Sequence, residues 1–193
     1  MEQALDLSEE VIRTTDALRK GGVILYPTDT IWGIGCDASN ATAIDRIYAI
    51  KKRRLSKSLI ILLDEPEKLS LYTEHVPLIA WDLLRNTDKP TTFIYPHIKN
   101  LPTNLVGADG SIGIRITSNP FCRKVISLLG HPIVSTSANI SGEPTPTHFR
   151  EISPEIKKSM DYIVNAAFGT VENMKASTII RFTDDYSFEI IRD

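Results

Sequence analysis

The architecture of this chain is set by residues 41–63, which read ATAIDRIYAIKKRRLSKSLIILL. The segment 41–50 has the apolar spacing of a helix, with Ile44, Ile47 and Tyr48 on one face. The run LIILL at 59–63 is too short for a helix and apolar throughout, as expected of a strand covered on both faces.

Between this helix and this strand stand four consecutive basic residues, Lys51, Lys52, Arg53 and Arg54. Such residues are favoured at a helix C-terminus by the macrodipole. Four of them also form a platform for phosphate, so the block alone leaves both interpretations open.

Helical and extended segments alternate on both sides of this stretch. We predict a first helix with Ser8 as its N-cap and Gly21-Gly22 at its end, and we predict that Asn40 caps the helix at 41–50. Two further helices are predicted at 77–85 and, introduced by Asn119-Pro120, at 120–129. Strands are predicted at 23–26, 31–36, 59–63, 92–95, 111–116, 133–135, 162–164, 177–182 and 188–191. The pattern predicts one α/β domain, residues 1–193, with a twisted mixed parallel and antiparallel sheet flanked by helices.

Composition excludes several classes of protein. With 193 residues, 42% of them hydrophobic, and a net charge of -2, the chain is not a general nucleic-acid coat, so any anion site must be a local concentration of charge. Cys36 and Cys122 stand alone, which predicts buried free thiols and neither a disulfide framework nor a zinc site. The N-terminus lacks the features of a signal peptide, and no apolar run approaches membrane-spanning length, so we expect a cytoplasmic protein.

Two polar loops and one arginine are the candidate ligand contacts. Residues 26–33 place Thr28, Asp29 and Thr30 between two strands, which suits a small polar ligand or a hairpin that satisfies its own backbone. Residues 135–142, STSANISG, follow a strand and are rich in hydrogen-bond donors, as in a phosphate nest or a simple polar turn. Strand alternation puts Arg115 on a face of small residues with Ser111 and Gly113, which indicates either a carboxylate-binding cleft or a solvated sheet face. The common phosphate-loop, zincin and nucleophile-elbow motifs are absent.

Together these segments resemble the YrdC-like threonylcarbamoyl-AMP synthase family, from Gly21 to Arg192. The family's Tyr/Phe-Pro-Thr-Glu-Thr-x-Tyr-Gly-Leu motif reads YPTDTIWGI at 26–34, and its Lys-x-Arg stands as Lys51-Lys52-Arg53 before SLI at 58–60. Its Ser-x-Asn stands as Ser137-Ala138-Asn139. Arg54 replaces a common proline, and 88–92 and 165–169 also depart from the family pattern, which is typical of a divergent branch that includes YciO-like paralogues.

The resemblance implies a YrdC-like fold with a basic central cleft, and an enzyme that makes threonylcarbamoyl-AMP and pyrophosphate from L-threonine, bicarbonate and ATP. The product serves the threonylcarbamoyladenosine modification of tRNA position 37. The residues implied for threonine and bicarbonate are Thr30, Arg115, Ser135 and Ser177. Those implied for ATP are Lys51, Arg53, Lys57, Ser111, Ser137, Asn139, Thr145 and Arg192, with Lys51 and Arg53 catalytic. Mg²⁺ is expected to be held mainly through the ATP phosphates rather than by the protein. The implied partners are tRNA and the downstream threonylcarbamoyl-transferase complex, and the chain is expected to be a monomer or weak dimer.

Two other functions are kept open. One is an RNA-binding module for double-stranded RNA or tRNA that uses the basic cleft without catalysis, although the acidic net charge and the few aromatic residues disfavour it. The other keeps the fold and the ATP site but takes a different carboxylated amine.

Overall fold

The structure, a computed structural model, describes residues 6–52, 59–87, 89–168, 176–183 and 187–193. Within those ranges the helices are α1 (Leu7–Arg19), α2 (Ala41–Ile50), α3 (Leu78–Asn86), α4 (Pro120–Leu129) and α5 (Pro154–Lys158), with short 3₁₀ helices at Pro66–Leu71, Phe149–Glu151 and Ala166–Phe168. The strands are β1 (Ile24–Tyr26), β2 (Gly33–Gly35), β3 (Ile60–Leu63), β4 (Thr91–Tyr95), β5 (Ile112–Ile116), β6 (Ile133–Ser137), β7 (Tyr162–Ile163), β8 (Thr178–Phe182) and β9 (Phe188–Arg192).

The strands form one mixed sheet in the order β7-β1-β2-β6-β3-β5-β4-β8-β9. The pairs β1–β7, β3–β5 and β4–β8 are parallel, and the other neighbouring pairs are antiparallel. The sequence-based prediction of a mixed parallel and antiparallel α/β sheet is confirmed, and β1 and β2, which are consecutive along the chain, pair antiparallel. β9 is the outermost strand at one end, and Phe188, Ile190 and Ile191 are exposed on it.

The segment 41–63 lies at the centre of this architecture, although residues 53–58 fall outside the described ranges. Asn40 caps α2 as predicted, its side chain accepting a hydrogen bond from the Ala43 N–H. β3 is covered on both faces: Ile61 belongs to the apolar cluster that includes α2, and Leu62 belongs to the cluster that includes α4. A strand with no solvated face reads as a continuous apolar run rather than an alternating one, which explains the LIILL pattern.

Two details of the helices differ from the sequence-based predictions. The N-cap of α1 is Asp6, whose carboxylate accepts the Ser8 N–H at 2.8 Å, so the prediction of Ser8 was wrong. Aspartate and serine are about equally good caps, and the residue with the better geometry cannot be read from composition. The short helix α5, introduced by Ser153-Pro154, was not predicted.

The remaining composition-based expectations concern cysteines and membranes. Cys36 and Cys122 are both buried free thiols, as predicted. None of the helices in the described ranges has the length and apolar character needed to cross a membrane.

Replacing the central isoleucine of β3 tests how far stability depends on this strand. Ile61 is 0% exposed, so Ile61→Ala removes buried methyl groups and leaves a cavity, and we expect a loss of about 2–5 kcal/mol in the free energy of unfolding. Ile190→Ala on β9, where the side chain is 62% exposed, is the matched control and should change stability by less than about 0.5 kcal/mol. Urea unfolding monitored by circular dichroism measures both, and equal losses would contradict the central position of β3.

Candidate active site

A cavity of about 280 Å³ lies over the middle of the sheet, on the face that α1 and α4 cover further along. Strand alternation brings its floor residues together, with Gly113 and Arg115 on β5 and Ser135 and Ser137 on β6. A Cβ at position 113 would come within 2.8 Å of Ile60 Cγ2, so glycine keeps the floor open. Seven of the site residues implied by the family resemblance line this cavity: Thr30, Arg115, Ser135, Ser137, Thr145, Ser177 and Arg192.

Arg115 is a buried residue of this floor, on the side next to the loop between β1 and β2. Its Nη2 lies 3.1 Å from Asp29 Oδ1, and both side chains are 5% exposed. Its Nη1 donates to Thr30 Oγ1 at 3.3 Å. Its Nε is buried and has no hydrogen-bond partner among the described residues. A buried guanidinium is therefore fixed on one side by the protein, while its Nε–H is satisfied by none of the described residues.

The hydroxyls beside Arg115 have defined directions. Thr28 Oγ1 donates to the Ile31 carbonyl at 2.8 Å, so in its 3.0 Å contact with Thr30 Oγ1 the Thr30 hydroxyl must be the donor. Thr30 Oγ1 in turn accepts from Arg115. Because its proton is committed to Thr28, Thr30 offers the cavity an acceptor rather than a donor. Thr28 therefore bonds within its own loop, as expected of a hairpin that satisfies its own backbone. Thr30 is the residue of this loop that can still contact a small polar ligand.

The wall on the side away from the β1–β2 loop is formed by β4, β8 and β9. Ser177 Oγ lies 2.8 Å from Thr92 Oγ1, and the Ser177 carbonyl accepts two hydrogen bonds from Arg192, at 3.1 and 2.7 Å. Burial, with the nearby positive charge of Arg115 as a second cause, lowers the pKa of Arg192 below its usual value. Arg115 and Arg192 are the charged side chains among the described lining residues, so the electrostatic character of this region favours an anion.

Lys51 lies under the adjoining loop rather than in the cavity. Its side chain belongs to a residue only 1% exposed, and its Nζ donates to the carbonyls of Ser137 and Asn139 and to Asn139 Oδ1. The Asn139 side chain also accepts from Ser137 Oγ and donates to the Glu143 carbonyl, each at 2.6 Å. The buried ammonium group therefore holds the loop 137–143 against the end of α2.

The other ATP residues inferred from the sequence are placed differently. Ser111 does not line the cavity with Gly113 and Arg115, because its hydroxyl donates to Asp109 Oδ1 at 2.7 Å. Arg53 and Lys57 lie outside the described residues. The ATP-binding roles of these residues, and of Lys51 and Asn139, stay predictions.

Asp29 is the contact that sequence reasoning missed. Its loop was singled out, but its pairing with Arg115 was not, and no local pattern signals a contact between residues so far apart along the chain. The strand alternation that predicted a polar face on β5 gave the position of Arg115 but not its counter-ion.

Comparisons with known proteins agree with this fold. Residues 16–193 match the Sua5/YciO/YrdC family model, described as telomere recombination, and the chain belongs to this family. Among individual relatives, threonylcarbamoyl-AMP synthase of Stutzerimonas stutzeri (strain A1501) is 35% identical over 176 residues, covering 91% of this chain and 92% of the relative.

Two solved structures share the architecture. E. coli YciO superimposes with a TM-score of 0.83 at 30% identity, covering 98% of this chain and 91% of YciO. P. abyssi Sua5 complexed with L-threonine superimposes with a TM-score of 0.87 at 26% identity over 98% of this chain. The present chain spans 55% of that Sua5 chain.

The buried lysine can be tested against its exposed neighbour. Lys51→Met removes the donor of three contacts, and each buried acceptor left without a donor costs about 1–3 kcal/mol, so a clear loss of stability is expected. Lys52→Met removes an exposed ion pair with Glu155, worth less than about 1 kcal/mol. Urea unfolding gives the stability and pyrophosphate release gives the activity. We expect stability and activity to fall for Lys51→Met alone. Equal losses in Lys51→Met and Lys52→Met would mean that the four basic residues at 51–54 act only through their general positive charge.

Proposed function

We propose that this protein is an L-threonylcarbamoyladenylate synthase, which joins L-threonine, bicarbonate and ATP into threonylcarbamoyl-AMP and releases pyrophosphate. Membership of the Sua5/YciO/YrdC family and 35% identity to a threonylcarbamoyl-AMP synthase over most of both chains support this activity. The observation that carries the proposal is the buried Arg115 Nε, which lacks a hydrogen-bond partner among the described residues in a cavity of small-molecule size.

The threonine carboxylate is the group that best satisfies Arg115. A guanidinium presents parallel N–H donors that match a carboxylate, and such charge-assisted pairs are stronger than neutral hydrogen bonds. Thr30 Oγ1, which has only acceptor capacity left, would accept from the ammonium or hydroxyl group of threonine. Ser135 and Ser177 complete this side of the cavity.

The ATP side is assigned to the remaining cations and donors. Arg192, Ser137 and Thr145 line the cavity. Lys51, Arg53, Lys57, Ser111 and Asn139 join them on the basis of the sequence motifs, with Arg53 proposed as catalytic and Lys51, which the motif also marks as catalytic, as a positioning residue. Since Lys51 is buried beneath the loop 137–143, we assign it the positioning of that loop against the phosphates.

The reaction balances without a redox step. The threonine amine forms a C–N bond with the carbon of bicarbonate, and water leaves to give the carbamate. A carbamate oxygen then bonds to the α-phosphorus of ATP, while the bond between that phosphorus and the β-bridging oxygen breaks and pyrophosphate departs. Arg115 and Arg192, which both line the cavity, would stabilise negative charge on the reacting groups.

A magnesium ion is not readily held by the protein side of this site. Among the described residues there is no group of three or more histidine, cysteine, aspartate or glutamate side chains suited to a metal ion, and the described cavity lining contains no carboxylate. We therefore propose that Mg²⁺ enters with ATP and is held through its phosphates.

The biological setting follows from the same proposal. The unstable adenylate would pass to a downstream threonylcarbamoyl-transferase complex that modifies position 37 of tRNA, in the cytoplasm, with the synthase as a monomer or weak dimer. The relatives support the enzyme rather than an RNA-binding module without catalysis.

The activity has a direct assay. Incubation with ATP, bicarbonate and L-threonine should release pyrophosphate, and leaving out threonine or bicarbonate should abolish the release. L-Serine is the control substrate, because a site built for threonine gains about 1 kcal/mol from burying one more methyl group. Threonine-independent pyrophosphate release, or none, would contradict the proposal, and a stronger response to another amine would identify a different substrate.

Arg115→Lys tests the carboxylate contact without removing the charge that faces Asp29. Loss of the guanidinium fork should cost about 1.5–3 kcal/mol, which corresponds to a rise of about 10–100-fold in the KM for threonine, with a smaller change in the KM for ATP. Arg85→Lys, on the exposed surface of α3, is the control. Steady-state kinetics with each substrate varied in turn measures the effect, and an equal rise in both KM values would place Arg115 elsewhere in the mechanism.

A further inference from the structure

A second cavity of about 250 Å³ lies where β4 begins and β5 ends. Side chains alternate across β4 and β5: Thr92 and Arg115 line the active-site cavity, whereas Phe93 and Ile116 line the second one. The two cavities therefore share β4 and β5, and Asp29 of the second cavity contacts Arg115 of the first.

The charges around the second cavity are ordered by depth. Asp29 is buried, whereas Lys89 and Arg123, which also line the cavity, are exposed. Neither cation has an ion-pair partner among the described residues. The walls between include the apolar side chains of Leu84 and Phe93. A carboxylate at depth, apolar walls and cations at the surface match a small zwitterion with an aliphatic side chain.

Asp29 has unused capacity as an acceptor. Its Oδ1 is buried and receives no hydrogen bond from the described residues, because the 3.1 Å contact with Arg115 is an ion pair that lacks hydrogen-bond geometry. Within the described part of the chain, its Oδ2 accepts only a long contact of 3.4 Å from the Ser118 N–H. A buried carboxylate with so few donors is normally satisfied by a further partner, and an ammonium group brings three N–H donors.

We propose that the second cavity binds a free aliphatic amino acid, with its ammonium group against Asp29 and its carboxylate against Lys89 and Arg123. The site is coupled to the active site, because Asp29 is also the counter-ion of Arg115. An ammonium group beside Asp29 neutralises that carboxylate and leaves Arg115 with a stronger attraction for an anion. Binding in the second cavity therefore tightens the binding of threonine, and by reciprocity threonine tightens the second site. This coupling rests on the proposed function, whereas the second site itself does not.

L-Leucine is the probe, with two matched ligands that each lack one charge: 3-methylbutylamine lacks the carboxylate and 4-methylpentanoate lacks the ammonium group. Calorimetry on the full chain without ATP or threonine should show leucine binding at millimolar concentrations and much weaker binding of both analogues. Arg123→Gln should weaken leucine binding about tenfold, the effect of losing one charge-assisted hydrogen bond. Lys124→Gln, at the next exposed position of α4, is the control and should bind leucine as the wild type does.

The coupling is measured by titrating threonine with and without saturating leucine. The dissociation constant for threonine should fall about fivefold or more in the wild type and much less in Arg123→Gln, whose pyrophosphate release without leucine should be unchanged. No leucine binding, equal binding by Arg123→Gln, or simple displacement of leucine by threonine would overturn the proposal. If the synthase assay fails while leucine binding still depends on Arg123, the proposed function is wrong and the second site stands.

Discussion

The buried ion pair between Asp29 and Arg115 is the constraint on which the site depends. It joins the loop between β1 and β2 to β5 in the middle of the sheet, where both side chains are almost fully removed from water. Removing two charges from water costs free energy that their attraction only partly returns, so such a pair adds little net stability. It does restrict the guanidinium to one orientation. The same pair joins a residue that lines the active-site cavity to a residue that lines the second cavity.

Lys51 is a second buried charge that fixes the position of its partners, in this case a loop. Its ammonium group is buried beneath residues 137–143 and bonded to their carbonyls, so the end of α2 and the loop after β6 form one unit. Part of the cation block that first suggested a phosphate platform thus acts inside the protein. Lys52, by contrast, is exposed and paired with Glu155, as a solvated residue would be.

The elements that the sequence predicted well are those with local signals. Asn40 and Asn119-Pro120 mark helix starts by capping chemistry, and the apolar run before Asp64 marks a strand covered on both sides. The site was predicted only in part, because its contacts join distant segments. Thr30 and Arg115 are 85 residues apart, and no periodicity encodes their hydrogen bond. Alternation likewise assigned Ser111 to the cleft face, but an adjacent carboxylate, Asp109, holds its hydroxyl instead.

The outermost strand, β9, has a consequence for solubility. It supplies Arg192 to the active-site wall, yet it is exposed along its length and carries Phe188, Ile190 and Ile191 to the surface. An edge strand with apolar side chains is a template for pairing with another chain. The edge that is most open to pairing with another chain is therefore also the strand that carries a residue of the cavity wall.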